Sequence, residues 1–587
     1  MLLLLACATP PEPAGPRGDC NPVDEGQCAL PFPSSFYLAE GDTGSGYRVD
    51  FGPTSLPGNI DGAALDPARL NDLDGFPVLG MMLAHLPDAD VSKALSHTDL
   101  GAYLDADVTT VVLDVETGER VPHWVEREVQ ATEGQQLLVI RPAAPMAHGH
   151  RHVVGIRGLG GDAPAGFAAL RDGTDGEADL ERQRAHYDEV IFPALEGEGF
   201  ERDELLLAWD FVTVSEDNLA TMEHVRDEGL EHDPEYTITA VTEGCPRIYE
   251  GTFTAPLYLD SWQPGSLLNL DEDGLPFAEG TADVPFQVRV PCGLEEPARL
   301  VQFGHGVLGD LSEMSHLDSL AEEHGWVTFA VSWTGMKSDD IGDITLTVAQ
   351  DLSNFSIVPD RLHQGHLEFM LAQKLMTTSF PQELEVDVDT SSVTFHGVSQ
   401  GGILGGAQVA MSPYIDRGVL VVPGMPFTLI LARSDNFHPF LKLFEIKYDD
   451  WRDITVLMAA MQMLWDPVES GGWANRQDKD VLVQAAIGDS AVTTLSAQVM
   501  ARAYDLTLVD PSARPVWGLD QVEAPIEGGG FVELDWGVEE PVEAVPCDTE
   551  TNTHGGPGSS AAARLQAALF HETGVIEHTC EGPCDPD

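Results

Sequence analysis

Val393-Thr394-Phe395-His396-Gly397-Val398-Ser399-Gln400-Gly401-Gly402 decides how the chain is read. Val393 to Phe395 is a short run of β-branched and aromatic residues. Gly397 to Gly401 is G-x-S-x-G, and Gly402-Ile403-Leu404-Gly405-Gly406-Ala407-Gln408-Val409-Ala410 continues as a helix rich in small residues. Strand, sharp turn and helix in that order lift a serine hydroxyl clear of a sheet edge. Glycines on either side let the strand and helix pass without Cβ clashes. The helix N-terminus then favours negative charge developing beside Ser399.

Working outward, a serine in this setting calls for an oxyanion donor, an acid and a histidine. Ala298 to Phe303 reads as a strand leading into Gly304-His305-Gly306-Val307-Leu308-Gly309. Asp480 to Ile487 is a buried-type strand ended by Gly488-Asp489-Ser490, with a helix from Val492 to Tyr504. Thr551-Asn552-Thr553-His554-Gly555-Gly556 is a loop before a helix that starts near Ser560. The order Ser399, Asp489, His554 fits a nucleophile, an orienting acid and a base. His571 and His578 compete with His554. His571 lies on the helix and points away from a stripe through Leu565, Ala568 and Leu569, so it is expected to be solvated. His578 falls beyond the expected cap at Gly574. Residues 425–476 break the alternation of strands and helices. They carry Ile454, Leu457, Met458, Met461, Leu464 and Trp465 at helical spacing, which suits a cap over the site or ordinary core packing.

These residues resemble α/β-hydrolase serine esterases and lipases over about 236–575. The layout as a whole resembles bacterial extracellular lipoprotein lipases. The resemblance implies an α/β fold: an α/β-hydrolase catalytic domain with a helical cap, preceded by a β-rich, sandwich-like N-terminal domain. It implies that Ser399 attacks an ester carbonyl, His554 carries the proton and Asp489 orients His554. The oxyanion would rest on the N–H groups of Gln400 and Val307, with His305 structural. No metal and no cofactor is called for. The expected activity is hydrolysis of carboxylic esters, small-molecule or lipid. Alternatives are a peptidase or polyester depolymerase on the same fold, or a surface binding protein with an inactive hydrolase domain.

At 587 residues and 43% hydrophobic content the chain can build large cores. Its net charge of −67 excludes the basic patches that nucleic-acid binding needs. Met1 to Ala6 followed by Cys7 resembles a lipoprotein signal, although it lacks a basic start and its apolar run is short. Cys7 would be lipidated and would tether the protein to a bacterial outer membrane or cell surface, facing outward. The Pro-rich stretch to Pro16 would act as an extended spacer. The division expected is 1–30 as signal and tether, 31–235 as the β-rich module and 236–587 as the catalytic domain.

Cysteines at 7, 20, 28, 245, 292, 547, 580 and 584 have no zinc-type spacing. Pairs 20–28, 245–292 and 580–584 are expected as disulfides of an exported chain. In the first half, 108–115 and 121–125 are expected to form a hairpin around Glu116-Thr117-Gly118-Glu119. His148, His150 and His152 alternate and could line one strand face; a loop or strand edge is the reading preferred over a metal site. Asn269 to Gly274 resembles the start of a calcium loop but lacks its closing carboxylate, so it reads as a polar hairpin tip.

Overall fold

A computed structural model describes residues 17–294 and 297–585. Cys7 and the lipoprotein-like start lie outside the described residues.

The first half carries two three-stranded antiparallel sheets. One is built from β1 (Met82–Ala84), β3 (His123–Arg127) and β4 (Leu138–Pro142), the other from β2 (Thr110–Asp114), β5 (Arg151–Arg157) and β6 (Leu205–Val212). The expected hairpin does not form. β2 pairs with β5 and β3 with β4, and the two arms meet only next to the turn, at a Leu113–Arg120 bridge held by Asp114 N–H to Glu119 O at 3.0 Å and Val121 N–H to Val112 O at 2.8 Å. Beyond the bridge the chain turns to its other neighbour, with the Pro122 carbonyl accepting from Ala143 at 2.8 Å. Asn269 to Gly274 is a hairpin tip as expected: Asp271 Oδ1 accepts from the amides of Asp273 and Leu275, both at 2.9 Å.

The second half is built on an eleven-stranded mixed sheet among the described residues. In chain order its strands are β7 (Tyr236–Thr242), β8 (Arg247–Pro256), β9 (Thr281–Val290), β10 (Ala298–Gly304), β11 (Trp326–Ala330) and β12 (Val388–Val398). After these come β13 (Ile415–Val421), β14 (Asp480–Ile487), β15 (Thr507–Asp510), β16 (Gln521–Glu523) and β17 (Gly530–Asp535). The spatial order is β16-β15-β17-β14-β13-β12-β10-β11-β9-β8-β7. From β11 across to β16 the neighbours run parallel, and β9, β8 and β7 form an antiparallel edge. β14, β13, β12 and β10 are runs of buried residues, as strands covered on both faces must be. The chain order reverses between β10 and β12, where a crevice opens at the C-terminal ends of a parallel sheet.

Helix α1 (Ile357–Thr377) is buried almost all round rather than on one face. Its charges are satisfied inside: Arg361 Nε donates to Asp340 at 2.9 Å, and Glu368 accepts from Thr334 Oγ1 at 2.6 Å and Trp262 Nε1 at 2.9 Å. Helices α2 (Gln400–Ile403) and α3 (Gly405–Met411) follow the serine. The segment 425–476 contributes α4 (Phe427–Arg433), α5 (His438–Lys447) and α6 (Trp451–Trp465); α7 (Thr494–Ala503) and α8 (Ala561–Thr573) complete the frame. Buried side chains of both halves form one continuous core. A buried ion cluster also crosses between them. Glu126 on β3 accepts from Arg141 Nε at 2.7 Å and from Arg433 Nη2, at the end of α4, at 2.6 Å. The two guanidiniums hold its carboxyl well below the usual range despite burial.

Disulfides join Cys20 to Cys28 and Cys580 to Cys584, as expected. Cys245 and Cys292, expected as a third bridge, are exposed free thiols. Extending the β8–β9 register, in which Arg247 faces Val290, sets them opposite each other just beyond the ladder. They therefore meet as neighbours without being bonded.

Candidate active site

Ser399 sits immediately after β12 at φ 58° and ψ −119°, a conformation that L-residues adopt only when the surroundings impose it. Its N–H donates to Val421 O at 2.9 Å, and its carbonyl accepts from Gly402 and Ile403 at 2.8 and 2.9 Å, so the turn is held on both sides. The flanking glycines are forced. A Cβ on Gly397 would lie 2.0 Å from Gly401 O, and one on Gly401 would lie 2.1 Å from Gly304 O. That second approach couples the serine turn to the loop after β10, since Gly304 and Gly397 are register partners in the sheet.

The loop after β10 is braced from three directions. His305 is fully buried; its Nε2 accepts from Trp333 N–H at 2.8 Å and its Nδ1 faces Gly306 O at 2.8 Å. Burial pushes this imidazole down to about 4, so it stays neutral. Gly306 N–H donates to Glu313 Oε2 at 2.8 Å. The Gln400 side chain reaches across, with Oε1 accepting from Leu308 N–H at 3.1 Å and Nε2 donating to Met336 O at 2.9 Å. Among the described residues the N–H groups of Val307 and Gln400 have no acceptor. Both residues line the same cleft as Ser399.

Asp489 follows β14 and is 1% exposed. Its Oδ1 accepts from Ala491 and Val492 N–H at 2.7 and 2.9 Å, which fixes the carboxylate plane. Its Oδ2 faces His554 Nδ1 at 2.7 Å. The histidine loop is clamped to the same strand end. Thr553 Oγ1 donates to Ile487 O at 3.0 Å, while Asn552 Oδ1 accepts from His554 N–H at 3.0 Å and Ser490 N–H at 3.2 Å. Asn552 was not singled out in the sequence, although Asn two residues before a loop histidine is the residue type that caps its own backbone. Ser399, Asp489 and His554 thus all stand at C-terminal strand ends or in loops clamped to one. Among the described residues no hydrogen bond joins Ser399 Oγ to the ring of His554; such bonds commonly close only with substrate present.

His571 is not solvated. It is fully buried, with Nε2 3.0 Å from His396 Nδ1 and Nδ1 3.0 Å from Thr394 Oγ1, against Trp326. The buried face of α8 runs through Ala563, Ala567, Ala568 and Phe570, and Leu565 is exposed, so the two leucines misplaced the stripe. Gly574 caps the helix in the left-handed region, as read.

The cleft over Ser399 is narrow and apolar, walled by Val307, Met336, Phe427, Phe437, Trp465 and Val492. Phe427 and Trp465 stack at 4.0 Å. Behind them Glu469 Oε2 accepts from Phe427 N–H at 2.9 Å, and Gln462 Nε2 bridges Glu469 Oε1 at 2.5 Å to Asp466 Oδ1 at 2.8 Å. Burial raises Glu469 to about 8 and Asp466 to about 7.

No protein-family model matches the chain, and no curated protein matches it. Several solved structures are similar to it in part. Acetyl xylan esterase 1 from Thermoanaerobacterium sp. JW/SL YS485 is 15% identical over 55% of this chain and 89% of its own, with a TM-score of 0.36. An esterase from Pyrobaculum calidifontis is 13% identical over 61% of this chain and 90% of its own, at 0.30. An acylaminoacyl peptidase from Pyrococcus horikoshii is 10% identical over 59% of this chain and 51% of its own, at 0.31. Likenesses this distant decide nothing about activity, and the reading rests on the site itself.

Proposed function

We propose that this protein is a serine hydrolase of α/β-hydrolase type that cleaves carboxylic esters through Ser399, His554 and Asp489. The observation that carries the reading is the buried Asp489 carboxylate, fixed by two amides and 2.7 Å from His554 Nδ1. This leaves Nε2 as the free basic nitrogen in the sheet-end crevice that also holds the strained Ser399. Ser399 Oγ attacks the ester carbonyl carbon as its proton passes to His554 Nε2. The oxyanion is received by the unpartnered N–H groups of Val307 and Gln400. Collapse breaks the bond to the alcohol oxygen, which leaves with the proton from His554. Water then attacks the acyl-enzyme by the reverse proton path and frees the acid. Burial around Asp489 supports this reading, because a hydrogen bond to an ion gains strength where water is excluded.

The narrow wall of Phe427, Phe437 and Trp465 favours short acyl groups over long ones. p-Nitrophenyl esters of rising chain length test this. kcat/KM should be greatest for acetate and butyrate and fall with longer chains. A maximum at long chains would instead mean that α4 and α6 open to admit a lipid, the second reading that the Met458- and Met461-bearing helix allows.

A further inference from the structure

Far from Ser399, the first half assembles a cluster that the ester chemistry does not use. β2 ends at Asp114, whose register partner on β5 is His152. His150 lies two residues before His152, so the alternation of the histidines sets both on the side of Asp114. Glu116 follows in the turn. Asp114 Oδ1 is committed to that turn, accepting from the amides of Glu116 and Thr117 at 2.9 and 3.1 Å. Its Oδ2 faces two imidazoles: His150 Nδ1 at 2.8 Å and His152 Nε2 at 4.0 Å. Glu116 Oε2 accepts from Arg151 N–H at 2.9 Å, which brings its carboxylate alongside. One ligand atom from each of Asp114, Glu116 and His150 lies within 4.8 Å of the other two.

His152 is the decisive member. It is fully buried, stacked on Phe211 with ring centroids 5.6 Å apart, and neither of its nitrogens has a hydrogen-bond partner. A buried polar group without a partner costs stability unless something satisfies it. Its Nε2 is the atom nearest Asp114.

We propose that Asp114, Glu116, His150 and His152 form a binding site for a divalent transition-metal ion, zinc in particular. Two imidazoles and two carboxylates suit zinc; calcium asks for six or more oxygens. The two contacts of Asp114 Oδ2 are near those needed, while His152 stands outside the group of three whose donors lie mutually within 4.8 Å and its ring must move in toward them. A tetrahedral ion with bonds of about 2.1 Å holds its donor atoms about 3.4 Å apart. The 2.8 Å contact must open and the 4.0 Å contact close, each by about 0.6 Å. Binding would move the His150 proton from Nδ1 to Nε2, so that Nδ1 is free to ligate, and would replace the Nδ1–Asp114 hydrogen bond with one bond from each of the two residues to the ion. The site would then staple the turn after β2 to the start of β5, a structural rather than catalytic role.

The test uses the full chain, stripped with EDTA and desalted, then titrated calorimetrically with zinc chloride and followed with Co2+ by absorption. One zinc per chain and a four-coordinate Co2+ spectrum are expected. His150→Ala removes a part-exposed ligand and should keep the fold by circular dichroism; His152→Asn removes the buried one. Each should weaken zinc binding at least tenfold, on the order of what even outer-shell changes cost. His554→Ala should bind zinc as the wild type does. The proposal is overturned if the wild type takes up no zinc, if both ligand variants bind it unchanged, if His554→Ala abolishes uptake, or if calcium binds as tightly.

Discussion

Asp489→Asn probes the site through a single atom. In the wild type Oδ1 accepts two amide hydrogen bonds, from Ala491 and Val492, and Oδ2 accepts one from His554 Nδ1–H. An asparagine can keep only one of these halves. If its oxygen stays on the two amides, its NH2 group faces His554 and forces Nδ1 to become the acceptor, so Nε2 carries the proton and cannot take one from Ser399. If the amide flips to serve the histidine, its NH2 opposes two buried N–H donors. That costs about 1–3 kcal/mol for each donor left unsatisfied, or roughly 2–6 kcal/mol in all. The unflipped form therefore dominates and holds the wrong tautomer. The equivalent change in a serine protease triad lowers kcat by about 10⁴. A similar loss here corresponds to a barrier raised by about 5.4 kcal/mol at 1.36 kcal/mol per tenfold. The assay is kcat on p-nitrophenyl acetate at neutral pH, with the melting temperature as a control for folding. A folded Asp489→Asn variant whose kcat stays within tenfold of wild type would refute the tautomer argument and the role given to Asp489.

Two further outcomes follow from buried charge. Glu126→Gln leaves Arg141 and Arg433, which are 5% and 3% exposed, facing a neutral amide, and urea unfolding should show a loss of about 3–5 kcal/mol; a loss under about 1 kcal/mol would show the cluster to be dispensable. Glu469 titrates near 4.5 when unfolded and about 8 when folded, so between those values the unfolded chain releases a proton that the folded chain keeps. Stability should therefore fall as pH rises through that window and be unaffected below it. Glu469→Gln should make the decline shallower, with Asp466, which burial raises to about 7, keeping its own share, and melting temperatures of the two proteins that stay parallel from about pH 5 to about pH 8 would contradict the assignment.

The parts of the site legible in the sequence are those whose chemistry needs special backbone. Gly397 and Gly401 cannot carry a Cβ, so the motif around Ser399 announces its own geometry. Asp489 and His554 are legible as candidates because each closes a loop next to a strand or helix that periodicity reveals, and the structure sets their side chains 2.7 Å apart. What escaped depends on long-range packing. His571 was misjudged because α8 buries alanines instead of its leucine at 565, and because Thr394 and His396 present polar groups to it from a strand that reads as apolar. The hairpin at Glu116 stops at its turn because each arm pairs elsewhere, 110–114 with 151–157 and 123–127 with 138–142. Cys245 and Cys292 show the converse, since an exported chain with the two at the edges of neighbouring strands suggests a bond where register gives only adjacency. β15, β16 and β17 are short, and β17 inserts between β14 and β15, an order no local pattern encodes.

Covalent labelling puts Ser399 to the test as the nucleophile. The purified protein is treated with a fluorophosphonate, digested, and the peptides weighed while ester turnover is followed. One adduct per chain is expected, on Ser399, with turnover lost in step. Ser399→Ala should take up no label and should lose activity by roughly 10⁶-fold. Label on another residue, or a Ser399→Ala protein that keeps more than a few per cent of wild-type turnover, would contradict that role.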